Sequence, residues 1–212
     1  MLASFDRSLY LASRSPRRRE LLTQIGVRFQ LLLFRSRPGS DPEVNEDVLE
    51  GESPRAYVER VALAKAEAGW RRLMQRGLPR APVLAADTTV ALDGRIFGKP
   101  ADRTQACEML ATLSGREHEV LTAVALTYDD RTETELSVTA VQFRPLREDE
   151  IRQYVATGET DNKAGAYAIQ GRAAQFVSAL RGSYSGVVGL PLYETAQVIE
   201  RMGTGRERRS PY

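Results

Sequence analysis

Lysine is scarce in this chain. Of its 30 basic residues only three are lysine, Lys65, Lys99 and Lys163, and the rest are arginine. Surface positions usually tolerate that exchange, whereas a position needing a compact point charge does not, so the surviving lysines are candidate functional residues. Neither charge is in surplus, with Lys+Arg 30 against Asp+Glu 28, so no general attraction to nucleic acid or to a membrane surface is implied. Cys107 is the only cysteine, which excludes an internal disulfide. In its helical-looking stretch it reads as a small buried hydrophobe rather than a nucleophile. His118 is the only histidine; with no His/Cys cluster a zinc site is not expected, and a structural or surface place suits it. No apolar run approaches the ~18 residues of a transmembrane helix. The N-terminus, broken by Asp6 and Arg7, does not read as a signal peptide. A soluble cytoplasmic protein is the expectation. The Walker loop, the GxGxxG turn and the Gly-x-Ser-x-Gly elbow are all missing.

What is present alternates between strand-like and helical segments. Residues 8–12 read as a short buried strand. Ser15 caps a helix over 16–25, with Pro16 in its first turn and Gly26 at its end. A second strand is predicted over 28–34 and a loop over 35–53. Ser53-Pro54 opens a long helix to about Arg76, with Tyr57, Val61, Ala64 and Ala68 on one face. A strand over 83–86 is followed by a hairpin over 89–97 turning at Asp93-Gly94. Asp102 caps a helix ending near Ser114-Gly115. Strands over 119–128 and 133–143, a helix over 148–156, a glycine-rich broken stretch over 157–189 and a helix over 190–202 complete the chain. Hairpins among alternating elements predict an α/β protein with a mixed sheet. Residues 1–203 read as one domain and the basic segment 204–212 as a mobile tail.

Three places could carry chemistry. The first is SRSPRRRE, where Arg17, Arg18 and Arg19 stack on a helix N-terminus whose dipole already repels cations. Unpartnered first-turn amides, the hydroxyls of Ser13 and Ser15 and the Arg17 and Arg18 guanidiniums together suit a polyphosphate; a solvated charged face with an ordinary cap is the plain alternative. Arg19, beside Glu20, reads as surface. The second is AADTT. A carboxylate at the carboxyl end of a buried strand, Asp87, is where α/β folds place ligands; it can hold Mg²⁺, orient water or accept a proton, or merely cap a turn. In FGKP, Gly98 and Pro100 constrain the turn that presents Lys99. The third is DNKAGAYAIQG, where Lys163 and Gln170 stand among small residues that let a backbone approach a ligand. Lys65, among alanines, either snorkels from the edge of its helix or projects into a site.

LASRSPRRRELL, AKAEAG, AADTTV, GKP, KAGAYAIQG and GSYSGVVGLPL, in that order from about Leu9 to Met202, resemble the Maf family of nucleoside triphosphate pyrophosphatases. The resemblance implies a mixed, bent β-sheet flanked by helices, related to that of the inosine triphosphate pyrophosphatases, with a deep cleft between two lobes. It implies a divalent cation, Mg²⁺ or Mn²⁺, and a homodimer. It assigns phosphate binding to Ser13, Arg17 and Arg18, matches Lys65, Lys99 and Lys163 to family lysines, makes Asp87 the proton acceptor and gives Glu46 support of the metal. Arg18, Thr88 and Gln170 fall with the subgroup acting on dTTP and UTP rather than on 7-methyl-GTP; the Gln170 amide offers the donor and acceptor that uracil and thymine require. Asn162 stands where the family often has Asp, and Gly186 where it often has Asn. The implied reaction is hydrolysis between the α- and β-phosphates, with nucleotide-pool housecleaning as its purpose. The alternative from another class is a nucleotide-binding regulator of septum formation with little turnover.

Overall fold

The computed structural model describes residues 8–32 and 44–207, with side chains described as far as Gly203. Its spine is a ten-residue strand, β3, Val83–Leu92. The strand and the first hairpin arm read separately from the sequence are one element. Asp87, Thr88 and Thr89 do not end it: threonine suits a pleated strand, and the antiparallel ladder to β5 (Glu117–Tyr128) runs unbroken through Asp87↔Ala123 and Thr88↔Thr122. Asp87 therefore lies mid-strand, not at a carboxyl end. The hairpin turns at Asp93 and Gly94 as predicted, both in the left-handed region at φ 52° and 76°, as a two-residue type I′ turn demands. It returns as β4, Arg95–Phe97.

The remaining strands complete a seven-stranded mixed sheet. β1 (Leu9–Leu11) pairs in parallel with β2 (Phe29–Leu31) and with β3. β6 (Arg131–Phe143) and β7 (Val177–Arg181) extend it antiparallel beyond β5. Spatial order is β2-β1-β3-β5-β6-β7, with β4 on β3. Residues 33 and 34 of the second predicted strand and 35–43 of the loop lie outside the described residues.

Helices cover both faces. α1 (Pro16–Gln24) is capped by Ser15, whose Oγ accepts from the Arg18 amide. α2 (Pro54–Gln75) is capped by Ser53, and α3 (Arg103–Leu113) by Asp102. On α2 the stripe buried against the sheet is Val58, Ala62, Ala66 and Leu73, packed on Val83, Ala85, Ala123 and Ala125. The predicted face turns elsewhere: Val61 and Ala68 pack on Val44, with Tyr57 and Ala64 beside them. The helix is buried on two sides because the loop before it folds back. α3, α4 (Glu148–Ala156) and the last helix, α6, cover the opposite face around Leu84, Val90, Val124 and Phe143. α6 spans Leu192–Glu207, so it starts after Pro191 and continues past the expected end at Met202. Residues 208–212 lie outside the described residues. The broken stretch 157–189 holds two elements not read from the sequence, β7 and α5 (Tyr184–Val188). Cys107 is a free, partly buried thiol packed against the main core. No helix among the described residues is long and apolar enough to cross a membrane.

His118 is structural. Its ring is buried, edge-on to Phe143, and its Nε2 lies 2.9 Å from the Tyr167 hydroxyl. Burial pushes the imidazole from an ordinary 6.5 down to about 4, so the folded chain keeps it neutral. Between those values the unfolded chain takes up a proton that the folded chain refuses. Stability should therefore fall as pH drops from about 6.5 to about 4, and this contribution is flat below. A window of that width is worth about 3 kcal/mol. Denaturation midpoints across it should decline with acid, and less steeply in His118→Gln; identical slopes would remove His118 as the source.

Candidate active site

On the edge of β3 away from β5, β1 pairs only with Val83 and Leu84 and β4 only from Val90 onward. Among the described residues, no strand lies beside 85–89 there. Main-chain groups alternate in direction along a strand, and the Leu84 carbonyl accepts from Ala12 on the β1 side. The N–H and C=O of Ala86 and Thr88 therefore face this gap. Side chains alternate too, so Asp87 leaves the sheet toward α2 and Thr88 toward the opposite face. The gap lets one cleft reach both. Its volume is about 530 Å³, in the range of small-molecule sites.

Every residue given a site role in the sequence lines this cleft: Ser13, Arg17, Arg18, Glu46, Lys65, Asp87, Thr88, Lys99, Lys163 and Gln170. Lys65 does not snorkel. Its Nζ donates to Asp87 Oδ1 at 2.8 Å and lies 2.9 Å from Glu46 Oε1, so one ammonium joins two carboxylates. Lys99 approaches the other Glu46 oxygen at 3.6 Å. Burial pushes the Glu46 carboxyl up, but Lys65 and then Lys99 outweigh it and hold the group below the usual range.

The loop carrying Glu46 is fixed by two residues that sequence reasoning missed. The Tyr57 hydroxyl donates to the Glu46 carbonyl at 3.0 Å. Arg60 donates to the carbonyls of Asn45 and Asp47 and holds Glu52 at 2.6 Å. Burial, with the charges of Asp87 and Glu46 behind it, pushes the Tyr57 phenol up to about 12. A tyrosine and an arginine on a helix face carry no local mark of this job, because their partners are carbonyls of a distant loop.

At the start of α1, Ser13 Oγ accepts from the Ser15 amide at 3.2 Å and shapes the turn. Burial lowers Arg17 from its ordinary value, with Glu20 opposing, and its Nε is buried without a partner among the described residues. Such an orphan in a cleft calls for an external acceptor. Arg19 does not line the cleft, as expected; Arg14, which was not predicted, does. Arg18 is held more tightly than its neighbours. Nε donates to the Gly189 carbonyl at 2.7 Å and Nη2 to Thr88 Oγ1 at 3.3 Å. Burial lowers its pKa, Asp87 opposes this, and Arg17 adds to it.

Across the cleft, the segment with Lys163 and Gln170 winds through left-handed backbone at Asn162, Gly165 and Ala166. Asparagine, like aspartate, tolerates that region better than most residues. The Gly165 amide donates to the Gly98 carbonyl at 3.1 Å, tying the Lys163 loop to the Lys99 loop. Lys163 Nζ donates to the Asp161 carbonyl, and burial followed by repulsion from Arg17 lowers its pKa. A Cβ on Gly165, where φ is +66°, would stand 2.8 Å from Val90. Gly165→Ala should therefore cost about 2–4 kcal/mol, from left-handed strain plus overpacking. Chemical denaturation checks this, and a loss below about 0.5 kcal/mol would contradict it.

The cleft has two characters. Its lining includes the lysines, arginines and both carboxylates and also the apolar or aromatic side chains of Val90, Val120, Tyr167, Ile169 and Val187. Gly186, expected to matter only to a loop, is the third residue of α5, and its carbonyl accepts from Thr122 in the floor beneath Thr88.

The family model described as Maf-like protein matches residues 8–202. A dTTP/UTP pyrophosphatase of Aromatoleum aromaticum is 60% identical over 196 residues, covering 92% of this chain and 95% of that one. One from Nitrosomonas europaea is 56% identical over 203 residues, covering 96% and 98%. Among solved structures, the Staphylococcus aureus Ham1 protein aligns over 94% of this chain and 100% of that chain, at TM-score 0.48 and 15% identity, too weak a likeness to bear on fold or site.

Proposed function

The chain belongs to the Maf family, and from that premise we propose that it is a nucleoside triphosphate pyrophosphatase acting on dTTP and UTP. It cleaves between the α- and β-phosphates to give the monophosphate and pyrophosphate. The observation that carries the reading is one cleft whose lining joins a charged set, with Lys65 set between Asp87 and Glu46, to a set of apolar side chains. The first suits a triphosphate and the second a base.

Phosphoryl chemistry asks mainly for positioning and for stabilisation of spread negative charge. Arg17, Lys99 and Lys163 surround the position of the phosphate chain; Arg17 brings an unpartnered buried N–H to it. Asp87 is fixed mid-strand by main-chain pairing on β5 and by Lys65. It orients a water and takes its proton as the water attacks in line. Lys65 stands between Asp87 and Glu46 and offsets their mutual repulsion. The apolar wall seats the base, with Arg18, Thr88 and Gln170 as its polar contacts.

Asp87 and Glu46 fit a hard divalent cation. Two carboxylates that already share the Lys65 ammonium, with no histidine or cysteine in the cleft lining, form the sparse oxygen set that Mg²⁺ or Mn²⁺ uses alongside phosphate oxygens. Such an ion, when bound, supplies Lewis-acid polarisation of the phosphate. The proposal extends to modified pyrimidine nucleotides, to nucleotide-pool housecleaning in the cytoplasm, to residues 1–203 acting as one domain and to a homodimer. The test is a nucleotide panel with Mg²⁺ in which pyrophosphate and orthophosphate are measured separately. Pyrophosphate from dTTP and UTP is expected. Orthophosphate as product would overturn the reaction, preference for 7-methyl-GTP would overturn the substrate, and tight binding without turnover would favour the regulator.

A further inference from the structure

Tyr57 and Arg60 stand in the first two turns of α2 and do not line the cleft. Together they hold three successive main-chain carbonyls. Arg60 Nη1 donates to Asn45 and Nη2 to Asp47, each at 2.9 Å, and the Tyr57 hydroxyl donates to Glu46 at 3.0 Å. The Asn45 carbonyl belongs to the peptide plane before Glu46 and the Glu46 carbonyl to the plane after it. A residue has only two soft dihedrals, and those two planes define them. Holding both planes restrains the Glu46 backbone and with it the direction of its Cα–Cβ bond. The carboxylate so directed reaches Lys65 at 2.9 Å and Lys99 at 3.6 Å.

The clamp is itself held. Arg60 grips Glu52 through Nε at 2.6 Å and Nη2 at 2.8 Å, a bidentate fork that orients the guanidinium plane. Nη2 thereby commits both its protons, one to Glu52 and one to Asp47. Glu52 also accepts from the Leu49 amide at 3.0 Å, so the fork closes the loop on itself. Lys65 follows on the same helix, and α2 packs through Val58, Ala62 and Ala66 on Val83 and Ala85 of β3. One helix therefore refers the loop carboxylate, Glu46, to the strand carboxylate, Asp87.

We infer that Arg60 and Tyr57 are positioning residues for the divalent cation: they hold the Glu46 carboxylate beside Asp87, so that the pair is ready for one ion before it arrives. The inference rests on the pyrophosphatase reading, in which these two carboxylates take the ion, and adds the residues that set the affinity for it. A loop carboxylate free to swing would have to be ordered at the expense of binding. Hydrogen-bond partners behind a metal ligand govern metal affinity by about 10–100-fold. Neither residue touches reacting atoms, so the effect falls on affinity for the ion and not on the chemical step.

The experiment measures Mn²⁺ affinity in two ways. One is the paramagnetic resonance signal of Mn²⁺ added to enzyme holding α,β-imido-UTP, which cannot be cleaved. The other is the free Mn²⁺ that gives half-maximal pyrophosphate release from dTTP. Arg60→Lys keeps the charge and loses the fork; Tyr57→Phe loses one hydroxyl. Each should weaken Mn²⁺ about tenfold by both readouts, with turnover recovered as Mn²⁺ is raised to saturation. Glu46→Gln should weaken Mn²⁺ as well, and adding Arg60→Lys to it should weaken Mn²⁺ no further, because the clamp acts only through that carboxylate. Tyr57→Phe carries the test alone if Arg60→Lys fails to fold. Unchanged Mn²⁺ affinity in the single variants, or a full further loss when Arg60→Lys is added to Glu46→Gln, would overturn the clamp. So would a fall in kcat that saturating Mn²⁺ does not restore with affinity untouched, the mark of a merely structural role. A wild type that releases pyrophosphate without any divalent ion would overturn it while leaving the pyrophosphatase reading standing. A wild type that binds Mn²⁺ yet releases no pyrophosphate from dTTP or UTP would sink that reading and the inference resting on it.

Discussion

Asp87→Asn should lower pyrophosphate release from dTTP by about 10³-fold or more, in the upper range for loss of a positioned base. The substitution preserves shape and removes one charge. The ladder that holds residue 87 is main-chain pairing to β5 and does not depend on the side chain. Lys65 loses one of two counterions and keeps Glu46 at 2.9 Å. The fold should survive, and circular dichroism and the melting temperature should match the wild type. The amide cannot take a proton from water and is a poor ligand for a divalent ion, so kcat should fall more than KM rises. A variant keeping more than about a tenth of wild-type kcat would remove Asp87 from the chemistry.

Lys65→Met is expected to be the second most damaging change, by about 10²-fold or more in kcat/KM. Methionine fills the same space among the alanines of α2 without the charge. Asp87 and Glu46 would then share a partly buried site with no ammonium between them. Glu46 is held below the usual carboxylate range by Lys65 first and Lys99 second, against burial. That stabilisation is present above the unfolded pKa and is lost as pH falls through the folded one. Without Lys65 the folded value climbs, so the acidic limb of the pH–activity profile should move to higher pH. Activity within about threefold of wild type, or an unmoved limb, would show that Lys65 is dispensable to the pair.

Features decided locally were legible in the sequence. Ser15, Ser53 and Asp102 cap their helices as read, because a cap depends on a side chain and an amide a few residues away. Asp93-Gly94 fixed its hairpin for the same reason. Scarcity of lysine led to Lys65, Lys99 and Lys163, all of which line the cleft. Asp87 was misplaced along its strand because a polar trio after an apolar run looks like exposure to water, whereas here Asp87 meets Lys65, Thr88 meets Arg18 and Thr122, and Thr89 is buried. The apolar part of the cleft lining was not legible, since Val90, Val120 and Val187 in a strand or helix look like any core residue. Nor were the clamps on the Glu46 loop, whose bonds run to main chain far away in sequence.

The open stretch of β3 also bears on how the chain avoids its own kind. Unpaired main-chain groups on a strand are templates for another strand, and exposed ones invite aggregation. Here the open edge is only residues 85–89, closed at one end by β1 and at the other by β4. A segment entering there meets a gap closed at both ends. The rim is set with Arg14, Arg17, Lys99 and Lys163, which an incoming apolar segment would have to desolvate. The same cations admit a compact anion. The gap therefore filters by shape as well as charge, and the protein keeps a raw sheet edge at its centre without becoming sticky.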